Sequence, residues 1–195
     1  TTMLLDKDLT NSLINYQIEV DYYGCGAQWR QPHVIFGVQD PSEYVGDIYA
    51  SSLSDKETGA NTGLHGNSKG GTAVYIQDCY PQYRGIVQSI GAFTMYYDAD
   101  FSEGKTTIEK YSSRDSSGMF VKHTMKVNVC GSDVYVQIDD SDRYYASLPD
   151  DVSGGYVGFG SWGSNVIYDN LRIIAIDAQG EPMSYADAEK GITPV

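Results

Sequence analysis

Residues 154–173, GGYVGFGSWGSNVIYDNLRI, constrain the fold more than any other stretch. Val157 and Phe159 alternate with Gly158 and Gly160, the two-residue period of a β-strand with one bulky face and one bare face. Val166 and Tyr168 resume the alternation against Ile167 and Asp169, and Leu171 and Ile173 extend it. Between the two runs, Ser161 to Asn165 read as a tight polar loop with Trp162 at its tip. The bare glycine face suits close approach by a ligand or a packed neighbour. A large aromatic carried in a turn suits recognition.

The same period recurs along the chain. Tyr16, Ile18, Val20 and Tyr22 alternate with Gln17, Glu19 and Asp21, and Val34, Phe36 and Val38 form the next strand, ended by Asp40-Pro41. Val74 and Ile76 mark another, and Phe93, Met95 and Tyr97 a further one. A short polar strand is expected at Thr106 to Tyr111. Met125, Val127 and Val129 pass through the turn Cys130-Gly131-Ser132-Asp133 into Val134, Val136 and Ile138, the clearest hairpin. Residues 51–71 are polar and glycine-rich, longer than an ordinary connection and therefore of the functional or mobile kind. Only the tail has helical signals: Ser184 caps Tyr185 to Lys190 and Gly191 stops it. Short strands with turns between them predict an all-β, two-sheet antiparallel sandwich over residues 1–177, with residues 178–195 as a tail, linker or short helix.

With 195 residues, one domain with a full core is expected. The 21 glycines and 17 tyrosines fit many turns and pleated faces. A net charge of −13 repels phosphate backbones and anionic lipid, so nucleic acid and membrane are excluded as partners, and a neutral ligand is favoured. No apolar run reaches the length of a membrane span. The three cysteines, Cys25, Cys79 and Cys130, form no C-x-x-C pair. Either Cys25 bridges Cys79, or all three are small buried hydrophobes.

The order of these pieces resembles the concanavalin A-like lectin and glucanase superfamily, especially its laminin-G-like and glycoside-hydrolase-associated members. The likeness is carried by LTNSLINYQIEVDYYG near the start, by HTMKVNVCGSDVYVQIDD, and by the closing GGYVGFGSWGSNVIYDNLRI. The resemblance implies two sheets packed as a curved jelly roll, with glycan bound on the concave face or at rim loops. It also implies structural calcium in many members. Related β-glucanases carry an E-x-D-x-x-E strand. Here Glu19 and Asp21 match, but Gly24 stands where the last Glu belongs. A retaining mechanism needs two carboxyls about 5–5.5 Å apart, and this strand lacks the second. Glu19 and Asp21 are expected on the solvent side of an outer strand.

Other chemistry is weakly signalled. His33, His65 and His123 are far apart and none adjoins a G-x-S-x-G elbow. His123 is expected at the surface or rim, just before a strand. Asp98 and Asp100, with Ser102 and Glu109, fall at calcium-loop spacing but with Glu103 where the turn needs glycine. Asp139, Asp140 and Asp142 form a second oxygen-rich cluster. Ca2+ is therefore the one cofactor expected, held by Asp98 and Asp100 or by Asp139 and Asp142.

The aromatics carry the functional expectation. A sugar ring has an apolar C–H face that stacks on a flat side chain, while polar neighbours take its hydroxyls. Trp162, Trp29, Tyr44, Tyr49, Tyr80 and Tyr83, with Gln28, Arg84 and Asn165 beside them, are the expected ligand-binding residues. Tyr16, Tyr22 and Tyr168 are expected in sheet packing. The expected protein is a non-catalytic carbohydrate-binding domain for a neutral polysaccharide, extracellular or at the cell surface, and part of a larger multidomain protein. The alternatives are a glycoside hydrolase or lyase drawing on Glu19, Asp21, Glu109 and Asp139, and a protein-binding adhesin or spacer.

Overall fold

The computed structural model describes residues 2–5, 10, 13–25, 31–48, 67–69, 71–77, 85–90, 93–96, 121–140, 143–148, 151–162 and 165–184. Among them the strands are β1 Thr2–Leu4, β2 Asn15–Cys25, β3 Gln31–Val38, β4 Val45–Ile48, β5 Asn67–Lys69, β6 Thr72–Gln77 and β7 Gly85–Ile90. There follow β8 Phe93–Tyr96, β9 Lys122–Cys130, β10 Asp133–Ile138, β11 Tyr144–Ser147, β12 Tyr156–Trp162 and β13 Asn165–Ala175. One sheet has the order β1-β12-β3-β6-β7-β8 and the other β11-β10-β9-β2-β13, with β4 and β5 as a separate ribbon. Every pairing is antiparallel. The expected two-sheet, all-β sandwich is observed. The expected helix at 185–190 lies outside the described residues, as do the expected strand at 106–111 and most of the 51–71 loop.

Alternation builds the interior. Tyr16, Ile18, Val20 and Tyr22 from β2 meet Met125, Val127 and Val129 from β9 and Val134, Val136 and Ile138 from β10, all buried. Val34 and Phe36 of β3, Val74 of β6, and Val157 and Phe159 of β12 close the core from the other sheet. Each such side chain contributes about 1.5–3 kcal/mol when fully buried. Tyr16 and Tyr22 are core residues, as their spacing predicts. Tyr168 also packs on the core, its ring 4.7 Å from that of Phe159.

Several sequence expectations are corrected. Trp162 is not at a loop tip: β12 continues through it, paired with Gln31. The run that follows is not a return strand beside β12 but β13, in the opposite sheet. The alternation on either side of the break is the same whether the second strand pairs with the first or crosses over. The bare face at Gly158 admits no ligand. A Cβ there would stand 2.5 Å from the Met3 carbonyl and from Leu4, so β1 is the close neighbour.

β2 is not an outer strand, since β9 and β13 flank it on both sides. His123 is not a surface residue. It lies inside β9 opposite Tyr22, is 4% exposed, and has its ring 5.4 Å from the Tyr22 ring. Its place at the end of an alternating series, one step before Met125, puts it on the inward face.

Cys130 is a free, half-buried thiol raised by burial. It pairs with Asn15, whereas Cys25 ends the same strand ten residues later, about 33 Å away at strand spacing. Those two cysteines cannot be bridged. Cys79 lies outside the described residues.

Candidate functional site

Because the core takes one face of each strand, the outward face of the five-stranded sheet is set by the remaining residues. These are Gln17, Glu19 and Asp21 of β2, Lys122, Thr124, Lys126 and Asn128 of β9, and Asp133, Tyr135 and Gln137 of β10. Across β13 the face continues with Asp169, Asn170 and Arg172.

A β-bulge between Asp169 and Arg172 sets two residues of β13 opposite Val20 alone. Asn170 takes the left-handed conformation there (φ 53°), which Asn tolerates better than most residues. Its amide then reaches Asp21 (Nδ2 to Oδ2, 2.8 Å), and Arg172 reaches Glu19. Asp21 also accepts the Thr124 hydroxyl at 2.6 Å and the Lys122 ammonium at 3.0 Å. With the Thr124 bond as the largest cause, and against a weaker push from burial, its carboxyl is held at about 2. Lys126 Nζ stands 3.7 Å from Glu19.

Both carboxylates of the glucanase-like strand are thus clamped by donors from neighbouring strands. A general acid needs a raised pKa, and Asp21 has the reverse. Asp139, another of the candidate hydrolytic acids, takes the Nδ1–H of His123 at 2.7 Å and the Thr124 N–H at 2.8 Å. Burial alone would raise its carboxyl, but these bonds carry it below the ordinary value.

At the other end of the face lies a polar pocket of about 140 Å³, lined by Gln17, Lys126, Asn128, Tyr135, Gln137, Arg143 and Gly180. Its floor is an amide pair: Gln17 Nε2 donates to Asn128 Oδ1 at 2.7 Å, and Asn128 is only 3% exposed. One side is aromatic. Tyr135 pairs directly with Tyr145 across β10 and β11, with ring centroids 5.1 Å apart, and Tyr145 is 52% exposed. The Tyr145 hydroxyl donates to Asp133 at 2.9 Å. The Arg143 guanidinium sits over Tyr135, 5.2 Å from its centroid.

The wall is a turn after β13. The Asp177 carboxylate accepts the N–H groups of Gln179 and Glu181 at 2.9 and 2.8 Å, and Met183 N–H returns to the Ala175 carbonyl. This brings Gly180, at φ 86°, against Asn128 and Arg143; a Cβ would stand 2.8 and 2.9 Å from their nitrogens.

Among the described residues, the pocket gathers none of the expected ligand residues. Asn165 begins β13 opposite Cys25, eight strand positions from Gln17 and about 27 Å along β2. Trp162 ends β12 in the other sheet. Tyr44 is half-buried against Ile35, Val38 and Ala73 on the outer side of that sheet. Trp29, Gln28, Tyr49, Tyr80, Tyr83 and Arg84 lie outside the described residues, as do Asp98, Asp100, Asp142 and Glu109. Among the described residues no three metal-capable side chains cluster. The pocket residues did leave a trace in the sequence: the polar members of the alternating strands, Gln17, Lys126, Asn128, Tyr135 and Gln137, are the outward halves of the hairpin and of β2. Their grouping depends on strand order, which periodicity does not encode.

No protein family's profile matches the chain, and no curated protein does. Among solved structures it is similar to the carbohydrate-binding module CBM66 from Bacillus subtilis, with 10% identity over 88% of this chain and 80% of that one, TM-score 0.49. It is similar also to a tetrameric galectin from the ball sponge Cinachyrella sp., with 9% identity over 89% and 97%, TM-score 0.45. A lectin from Bauhinia forficata in complex with GalNAc gives 15% identity over 86% and 72%, TM-score 0.39. The sandwich itself rests on this chain's own strand pairings.

Proposed function

We propose that this chain is a non-catalytic carbohydrate-binding domain, and that its glycan sits in the pocket on the outer face of the five-stranded sheet. One observation carries the reading: amides from three strands, Gln17, Asn128 and Gln137, converge beside the exposed Tyr145 and its partner Tyr135. Amides supply paired donors and acceptors for sugar hydroxyls, and an exposed tyrosine ring supplies an apolar face for the C–H side of a pyranose. The pocket is smaller than the roughly 300–1,000 Å³ of an enclosing ligand site, so it takes one ring or the edge of a chain. The overall negative charge favours a mainly neutral polysaccharide. The clamped state of Glu19 and Asp21 and the lowered pKa of Asp139 support a binding role over a hydrolytic one. The expected affinity is roughly 10⁻³ to 10⁻⁶ M, because a shallow site gives back much contact energy to ordering and desolvation.

Affinity electrophoresis against starch, xylan, mannan, pectin and β-glucan tests this. Retention of the wild type by at least one of them, lost in Tyr145→Ala and in Gln17→Ala with folding intact, is the expected result. Retention by none, or equal retention of the variants, would overturn it.

A further inference from the structure

We infer that the glycan taken by this pocket carries a uronic acid, whose carboxylate is read by Arg143 while the amides read neutral hydroxyls around it. The inference rests on the carbohydrate-binding reading and narrows it.

Three features point to a carboxylate. Arg143 makes no ion pair among the described residues, although the chain has 26 acidic residues against 13 basic ones. The acids near it are occupied elsewhere: Asp133 accepts the Tyr145 hydroxyl, and Asp177 holds the turn that carries Gly180. The guanidinium is also pre-positioned. Tyr135 lies beneath it and Gly180 stands beside it, while the residue stays exposed to an incoming anion. A planar guanidinium meets a carboxylate through two parallel N–H bonds, a fit that a spherical ammonium lacks. Lys126, held only loosely by Glu19 at 3.7 Å, adds a second positive charge to the same pocket.

The whole-chain charge restricts the ligand further. A densely charged polyuronate is repelled by a net −13, whereas isolated carboxylates on a neutral backbone meet the local positive field within a Debye length of about 8–10 Å. The fitting class is a neutral polysaccharide with sparse uronate substituents.

The test compares native glucuronoxylan with the same polymer after carboxyl reduction, which turns each uronate into a neutral sugar and leaves the backbone unchanged. The readout is the ratio of the two affinities. The wild type should favour the native polymer by about tenfold, and raising salt from about 0.05 to about 0.5 M should shrink that ratio. Arg143→Gln should bring the ratio close to one, and Arg143→Lys should leave an intermediate value, with circular dichroism confirming the fold of both. A wild-type ratio of one, or an unchanged ratio in Arg143→Gln, sinks the uronate assignment while leaving glycan binding standing. Stronger retention on dextran sulfate than on native glucuronoxylan reassigns the guanidinium to sulfate and also overturns it. Failure to bind these polymers and every one of the five polysaccharides in the retention panel brings down the glycan reading itself.

Discussion

The Tyr168 phenol from β13 crosses the sandwich to His33 of β3. It accepts the His33 backbone N–H at 2.7 Å and lies 2.5 Å from the Gly160 carbonyl, to which it donates. One hydroxyl therefore ties the two sheets at a point where only side chains could do so. Burial drives the phenol far above its ordinary pKa, so it stays a neutral donor. Tyr168→Phe should lower stability by about 1–3 kcal/mol. A urea titration should show a lower midpoint with an unchanged slope. An unchanged midpoint would mean that the tie contributes nothing.

Acid should weaken the fold through His33. Burial lowers its imidazole from 6.5 to about 3. Below pH 6.5 the unfolded chain binds a proton that the folded chain refuses, so stability falls progressively from there towards pH 3. His33→Gln removes this proton uptake. Its stability should be nearly flat between about pH 7 and about pH 5, where that of the wild type declines. Parallel declines in the two proteins would contradict the assignment.

Asp21 works in a lower window with the same sign, through bonds to its charged form instead of through burial. Its folded value, about 2 against 3.8, is depressed, so its contribution is complete above 3.8 and disappears as pH falls through 2. Asp21→Asn should cost about 1–3 kcal/mol at neutral pH, since charge-assisted bonds to Thr124, Lys122 and Asn170 go with it. The gap to the wild type should close near pH 2. A gap independent of pH would assign the loss to packing instead.

These groups show how far a sequence of this kind can be read. The period-two runs around Tyr16, Val127 and Val136 identify strands and inward faces, because alternation is a local consequence of the pleat. Even the Gly131 turn is marked by its residues. Neighbour identity is not local. Nothing in residues 154–173 says that β12 and β13 part into different sheets, and nothing in EVDYYG says that β2 is flanked on both sides. His123 reads as a surface or rim residue because it begins a run, yet the pairing with Tyr22 puts it inside. Trp162 reads as a loop residue from its polar and glycine neighbours, yet β12 runs through it. The pocket is instead made of modest polar residues that matter only once β2, β9, β10 and the turn at Gly180 are side by side.

Gly180→Ala tests that last contact. An alanine at φ 86° is strained, and its Cβ displaces Asn128 or Arg143. The expected cost is at least about 1 kcal/mol in stability, with glycan retention falling more than the fold does. Retention equal to the wild type, in a folded protein, would remove the turn from the site.

Trp162 and Tyr145 separate the two locations for a ligand. Trp162→Ala should leave retention on the bound polysaccharide intact, since β12 belongs to the opposite sheet from the pocket. Tyr145→Ala should abolish it. The reverse outcome would move the binding surface to the end of β12.

The pairing of β2 with β13 has a consequence for biogenesis. Tyr22 of β2 waits for Tyr168 of β13 as its neighbour. During synthesis β2 therefore emerges from the ribosome long before β13 exists, and its backbone groups stay open on that side until β13 has been made. Stalling or cleavage ahead of residue 165 would leave a half-built layer with a sticky border, a species that chaperones must shield and that no mature molecule presents.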